Sequence, residues 1–321
     1  MSLVPEERSS GDPADRPTGS PAPDESASGE LGRGLLGAGI AVTAWSTGTI
    51  LAKYIDMGAL AIGVYRFAIF GIGLSLWLRF RGVRIDLRVL RASMWGGIAL
   101  GADIALFFSA VKETSIVNAT VVGSLQPIVV GIVAVRFFGE TIRRSDALWA
   151  IVALVGTITV VASSAGDEAT SLRGDLLAVG ALFAWSAYFI ASRRAKGVLT
   201  PSEFTAGTSL WTAAICLPIG VAAGQDLSFP SLENLAWLAV MIVVAGIVGH
   251  SLMNWSLQRI PLWVGSTFTL FIPVASSILA WIILDEAVSV VQAVAMAGVI
   301  GALAVIVRGQ TKTPAGEATG G

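Results

Sequence analysis

Two opposite charges stand where charges are expensive. Arg66 and Asp103 each lie inside a long apolar run of this 321-residue chain, and a charge in apolar surroundings persists only when it is paired or faces water. Read as helices, the two runs are consecutive and antiparallel. Arg66 lies seven residues, about 10 Å, from one end of its run, and Asp103 eight residues, about 12 Å, from the matching end of its own. At that common level the two could form a structural ion pair. Alternatively, Arg66 binds a carboxylate or phosphate, and Asp103, partly shielded from water, exchanges protons with whatever reaches it.

Other polar groups share the apolar runs. His250 is the only histidine and titrates in a useful range when unperturbed, although a lone buried histidine also serves as a hydrogen-bonding packing residue. Asn254 lies one helical turn further on and shares its face. Trp45, Ser46, Trp185, Ser186 and Tyr188 offer aromatic walls with polar tips, suited to amines and amino acids, and Gln126 adds an amide. Pro127 and Pro273 interrupt the backbone hydrogen bonding of their runs, which makes them hinges, walls of a site or simple kinks. Gly97 and Gly101 form a small-xxx-small pair suited to close helix contact. Glu140 and Glu286 fall at the ends of runs and suit structural roles, capping a helix or holding a loop.

The elements that must position these residues are read from hydropathy. With 54% hydrophobic and 13% charged residues and a mean hydropathy of +0.75, the chain is far from the roughly one-quarter charged content of a soluble domain. Ten apolar runs, at 34–53, 59–80, 91–111, 115–138, 146–164, 174–192, 204–222, 234–257, 261–284 and 288–307, are each long enough to cross a bilayer as a helix. They do not alternate as barrel strands would. The fold class expected is therefore an all-α polytopic membrane protein. Residues 1–33, rich in Pro, Ser, Gly and acids, read as a disordered cytoplasmic tail, and 308–321 as a second cytoplasmic tail.

Charge orients the bundle. With the N-terminus inside, the inner segments hold 17 Lys and Arg and the outer ones three, Lys53, Lys112 and Arg173. That is the positive-inside bias of a plasma or bacterial inner membrane protein with both termini cytoplasmic.

The chain also repeats itself. RGLLGAGIAVTAWS, from Arg33 to Ser46, recurs as RGDLLAVGALFAWS, from Arg173 to Ser186, at an offset of 140. Pro127 and Glu140 recur as Pro273 and Glu286 at an offset of 146. The repeats span 34–164 and 174–307. Each holds five spans, an odd number, so the halves lie inverted relative to one another, as in many secondary transporters.

Several chemistries are excluded. The net charge of −1 without a basic cluster outside the loops excludes a nucleic-acid partner. Cys216 is the sole cysteine, so there is no internal disulfide and no cysteine-based metal site. The sequence has no HExxH, GxSxG or P-loop pattern, so neither an enzyme nor an ATP-driven pump is expected, and no cofactor or metal.

These residues resemble a known family. The Trp-Ser of each first span, the Tyr65-Arg66-Phe67 of the second, and the segments SLQPIVVGIVAVRFFGE (Ser124 to Glu140) and TLFIPVASSILAWIILDE (Thr269 to Glu286) make the chain similar to the EamA-like members of the drug/metabolite transporter superfamily. The resemblance implies a ten-span carrier of small organic metabolites, commonly an exporter of amino acids or related compounds. The partners expected are a small-molecule substrate, membrane lipid and protons as the candidate coupling ion, in a monomer or homodimer. Export by alternating access is the leading expectation, with an uptake permease or facilitative exchanger as the alternative.

Overall fold

A computed structural model describes residues 23–163 and 171–312. Within them, ten helical stretches are long and apolar enough to cross a membrane. The first is α1 (Pro23–Ala52), followed by α2 (Ala59–Phe80) and α3 (Leu87–Ala110). The fourth span is divided into α4 (Ile116–Gly123) and α5 (Gln126–Phe138), and the fifth is α6 (Arg144–Ala162). The second half runs α7 (Leu172–Arg194) and α8 (Pro201–Ala222). Its third span is α9 (Leu232–Met241), a π-helical segment (Ile242–Ser251) and α10 (Leu252–Leu257). Its fourth is α11 (Leu262–Thr267), a 3-10 turn (Phe268–Leu270) and α12 (Phe271–Leu284), and α13 (Val290–Lys312) closes the chain. Large apolar side chains such as Leu36, Leu76, Ile132, Val155, Leu176, Ile282 and Val294 are more than half exposed, as faces turned to lipid must be.

The first helix begins earlier than hydropathy implies. Residues 23–33, read as part of a disordered tail, extend α1 by three turns, because Leu31 packs against the main core cluster. Residues 1–22, the rest of that expected tail, lie outside the described residues. So do 313–321, while 308–312 continue α13.

The halves interleave. The closest packing of α3 is on α7 and α8, and that of α2 is on α8, while α1 packs on α12, the π-helical segment and α10. Glycines permit the α3–α8 approach. A side chain at Gly97 would meet Trp211 and Thr208, and one at Gly101 would lie 2.8 Å from Ile215.

The divided fourth and ninth spans are breaks at equivalent places. Pro127 enters the first turn of α5, and Pro273 is the third residue of α12. Proline lacks the amide that would continue the helical ladder, so each span loosens just ahead of its proline. Both spans then end on a left-handed residue, Gly139 (φ 65°) and Asp285 (φ 53°).

Beyond these ends the two glutamates behave differently. Glu140, its side chain 9% exposed, accepts hydrogen bonds from the backbone amides of Leu262 (2.7 Å) and Trp263 (3.1 Å). It also pairs with Arg193 at 3.3 Å. It therefore caps α11 in the other half rather than the helix that follows it. Glu286 pairs with Lys53 at 2.8 Å, and both side chains are more than half exposed.

Candidate functional site

The tryptophans of the two first spans meet. Trp45 on α1 and Trp185 on α7 stand edge-on with ring centroids 5.3 Å apart. Because they are repeat equivalents, their contact marks the axis relating the halves. The candidate residues divide around it into two groups.

One group is a closed polar cluster. The Tyr188 hydroxyl lies 3.3 Å from His250 Nδ1 and donates to Asn254 Oδ1 at 3.2 Å. Asn254 Nδ2 approaches the Tyr188 hydroxyl at 2.9 Å and donates to Thr205 Oγ1 at 3.0 Å. Tyr188, Asn254 and Thr205 are almost wholly buried. His250 is held between Trp45 (5.1 Å between centroids) and Phe67 (5.4 Å). His250 lies in the π-helical segment and Asn254 one turn further on α10, and both face Tyr188. Arg66 joins from α2. Its Cζ lies 4.9 Å from the Phe67 ring centre, its charge acts on Tyr188 and His250, and among the described residues its Nε has no hydrogen-bond partner.

The other group lines a cavity of about 360 Å³, near the lower end of the roughly 300–1,000 Å³ common for small-molecule sites. Asp103, Phe107 and Phe108 of α3 form one wall, Thr120 and Ser124 another, and Trp185, Thr269 and Pro273 complete it. No hydrogen bond or ion pair engages Asp103 among the described residues. The cavity lies between the middle of the bundle and the end that carries Lys53, Lys112 and Arg173.

The expected Arg66–Asp103 ion pair is absent among the described residues. The two helices touch where Leu60 and Val64 of α2 cluster with Ile104 and Ala105 of α3, but the charges face apart. α8 packs along both, with α7 packed as closely along α3, and Arg66 lies against the histidine cluster while Asp103 borders the cavity.

The remaining candidates scatter. Ser46 Oγ donates to Val42 O and Ile272 O, and Ser186 Oγ donates to Leu182 O, so both hydroxyls serve backbone. Gln126 is buried, accepts from Thr269 Oγ1 at 2.9 Å and leaves its Nε2 unpartnered among the described residues. Pro127 lines a different, larger crevice of about 780 Å³ with apolar neighbours such as Ile128, Gly131 and Ile151. Thr205 was not anticipated. Its signal lay in Thr205, Thr208, Ser209 and Thr212, buried hydroxyls at helical spacing on α8.

Comparison with known proteins agrees with this architecture. A solved crystal structure superposes with a TM-score of 0.72 at 23% identity, covering 90% of this chain and 99% of its own, which establishes the fold. The aromatic amino acid exporter YddG of Ancylobacter novellus is 30% identical over 206 residues, 62% of this chain and 69% of its own. The threonine/homoserine exporter RhtA of Salmonella typhimurium is 26% identical over 266 residues, 82% of this chain and 87% of its own. The model of the EamA-like transporter family matches residues 32–162 and 172–308, one domain for each five-span repeat. This ten-span membrane protein belongs to the EamA-like transporter family of the drug/metabolite transporter superfamily, a transporter and not an enzyme.

Proposed function

We propose that the chain is a secondary exporter of an amino acid or related amine, that the Asp103 cavity is its binding site, and that Asp103 couples transport to protons. The observation carrying this reading is Asp103 itself, a carboxylate without a protein partner among the described residues, bordering open space near the middle of the bundle. An unpaired charge at that depth is costly. A substrate ammonium or a proton compensates it, one replacing the other, which is the stoichiometric basis of antiport. Trp185, Phe107 and Phe108 add aromatic faces that attract a cationic amine. The relatives named as amino acid exporters favour this substrate class and direction. The excess of arginine at one end favours a cytoplasmic location for that end and for both termini, so the cavity faces outward.

The test uses purified protein in proteoliposomes under an imposed proton gradient, with radiolabelled threonine, homoserine, phenylalanine and tryptophan offered in turn. The wild type is expected to move at least one of them against its gradient, and well-folded Asp103→Asn to lose proton-driven accumulation. Unchanged proton-driven accumulation in Asp103→Asn overturns the role given to Asp103. Wild-type protein that moves none of the four overturns the substrate class.

A further inference from the structure

The segment joining α2 to α3 concentrates charge of one sign. Between positions 79 and 91 stand five arginines, Arg79, Arg81, Arg84, Arg88 and Arg91, against one acid. That acid, Asp86, is already committed, because its carboxylate accepts the Val89 amide and caps α3. Two of the arginines are engaged within the protein. Arg88 donates to Val198 O at 2.8 Å, and Arg81 lies 5.0 Å from the Trp77 ring centre. Arg79 and Arg84 instead line one crevice of about 430 Å³. Neither makes a side-chain hydrogen bond or an ion pair among the described residues. The dipole of α2 accounts for a cation on its last turn, at Arg79, but not for a second one bordering the same space from the loop.

The rest of the crevice is apolar. Ile72, Leu76, Ile85 and Leu210 line it with Ser75, whose hydroxyl turns back to Gly71 O at 2.6 Å. Along α2 it runs about 10 Å, from Ile72 to Arg79. Ile72 and Leu76 are more than half exposed, so this face meets lipid. Trp77, half exposed and beside Arg81, is the amphipathic residue of a membrane–water boundary. The arginine end of the crevice therefore stands at headgroup depth and the Ile72 end among acyl chains.

We propose that this crevice binds an anionic glycerophospholipid of the leaflet at the arginine-rich end. Its phosphate lies between Arg79 and Arg84, and one acyl chain runs along Ile72, Leu76 and Leu210. Guanidinium groups hold phosphate oxygens in pairs, and basic pockets between membrane helices suit such headgroups. Among the described residues no carboxylate lines the crevice to receive an ethanolamine or choline cation, so a headgroup with net negative charge is favoured over a zwitterionic one. The lipid also joins the two halves, because α2 belongs to the first and Leu210, on α8, to the second. Its binding therefore stabilises the contact between them.

The test is the Tm of the purified full chain in detergent at physiological salt, titrated with lipid. Dioleoyl phosphatidylglycerol is expected to raise Tm by about 3 °C at saturation, and dioleoyl phosphatidylcholine by less than about 1 °C. Arg79→Gln with Arg84→Gln should raise the half-saturating phosphatidylglycerol concentration about thirty-fold, at about five-fold for each arginine. Should that pair not fold, Arg84→Gln alone is expected to raise it about five-fold. Arg144→Gln with Arg308→Gln removes equal charge at the same end but outside the crevice, and should shift it less than about two-fold. Inorganic phosphate, which has no chain to bury, should leave Tm unchanged at the same concentrations. Equal stabilisation by the two lipids overturns the proposal. So does equal weakening by the two pairs of substitutions, which is what a uniformly positive end would give. A rise with phosphate as large as with lipid overturns it as well, and makes the crevice a small-anion site.

Discussion

On either side of the Trp45–Trp185 contact lie two groups of polar side chains with opposite characters. In the Tyr188–His250–Asn254–Thr205 cluster the four side chains hydrogen-bond to one another, with Arg66 beside them leaving its Nε without a partner among the described residues. The Asp103 cavity is open, and its one charged group bonds to nothing among the described residues. Both groups look alike as polar residues in apolar runs, and both cost free energy to bury. What separates them is where the compensating partner comes from. A cluster that completes itself stabilises the bundle, whereas a charge left for a visitor makes a site.

That contrast can be broken by stability measurements. The largest expected loss is for Asn254→Leu, which removes the hydrogen bonds joining α10 to α7 and α8. Interhelical hydrogen bonds in membranes are worth about 0.6 kcal/mol on average and about 1.7 at most, so the total is about 1–2 kcal/mol, read as a lower Tm in detergent. Tyr188→Phe keeps the ring packed between Trp185 and Phe204 and loses only the hydroxyl. About 1 kcal/mol is expected, with substrate accumulation retained. Asp103→Asn should abolish transport while changing stability by less than about 0.5 kcal/mol, since no protein partner is lost. A fall in Tm as large as that of Asn254→Leu would erase the distinction between cluster and cavity. The smallest effect belongs to Ser124→Ala, whose hydroxyl only returns to Thr120 O on its own helix. Its stability should stay within about 0.5 kcal/mol of wild type, read from Tm, and a larger drop would show that the cavity wall is itself structural.

The spans and their duplication were legible because bilayer thickness imposes a length and charge punctuates the loops, signals local in sequence. Site membership was legible in part. His250 and Asn254 share a face as their spacing implied, and both meet Tyr188. The separation of Arg66 from Asp103 was not, because it lies in tertiary packing, with α8 along both their helices, between residues more than a hundred positions apart. Nor did hydropathy reveal the widened backbone at Ile242–Ser251, since a π-helical residue changes the phase of a helix without changing its composition. Glu140 was legible as a cap but not as the cap of a helix in the other half, for the same reason.

The tryptophan contact has a consequence for how such a chain arises. In an ancestor of one five-span unit, Trp45 and Trp185 would be a single residue touching its own copy across a two-fold axis, as isologous interfaces demand. Any substitution there would act twice and on both sides at once. Fusion into one chain ended that constraint. Trp45 now leans on His250, and Trp185 stacks on Tyr188 and walls the Asp103 cavity. One inherited residue thereby acquired two separate duties.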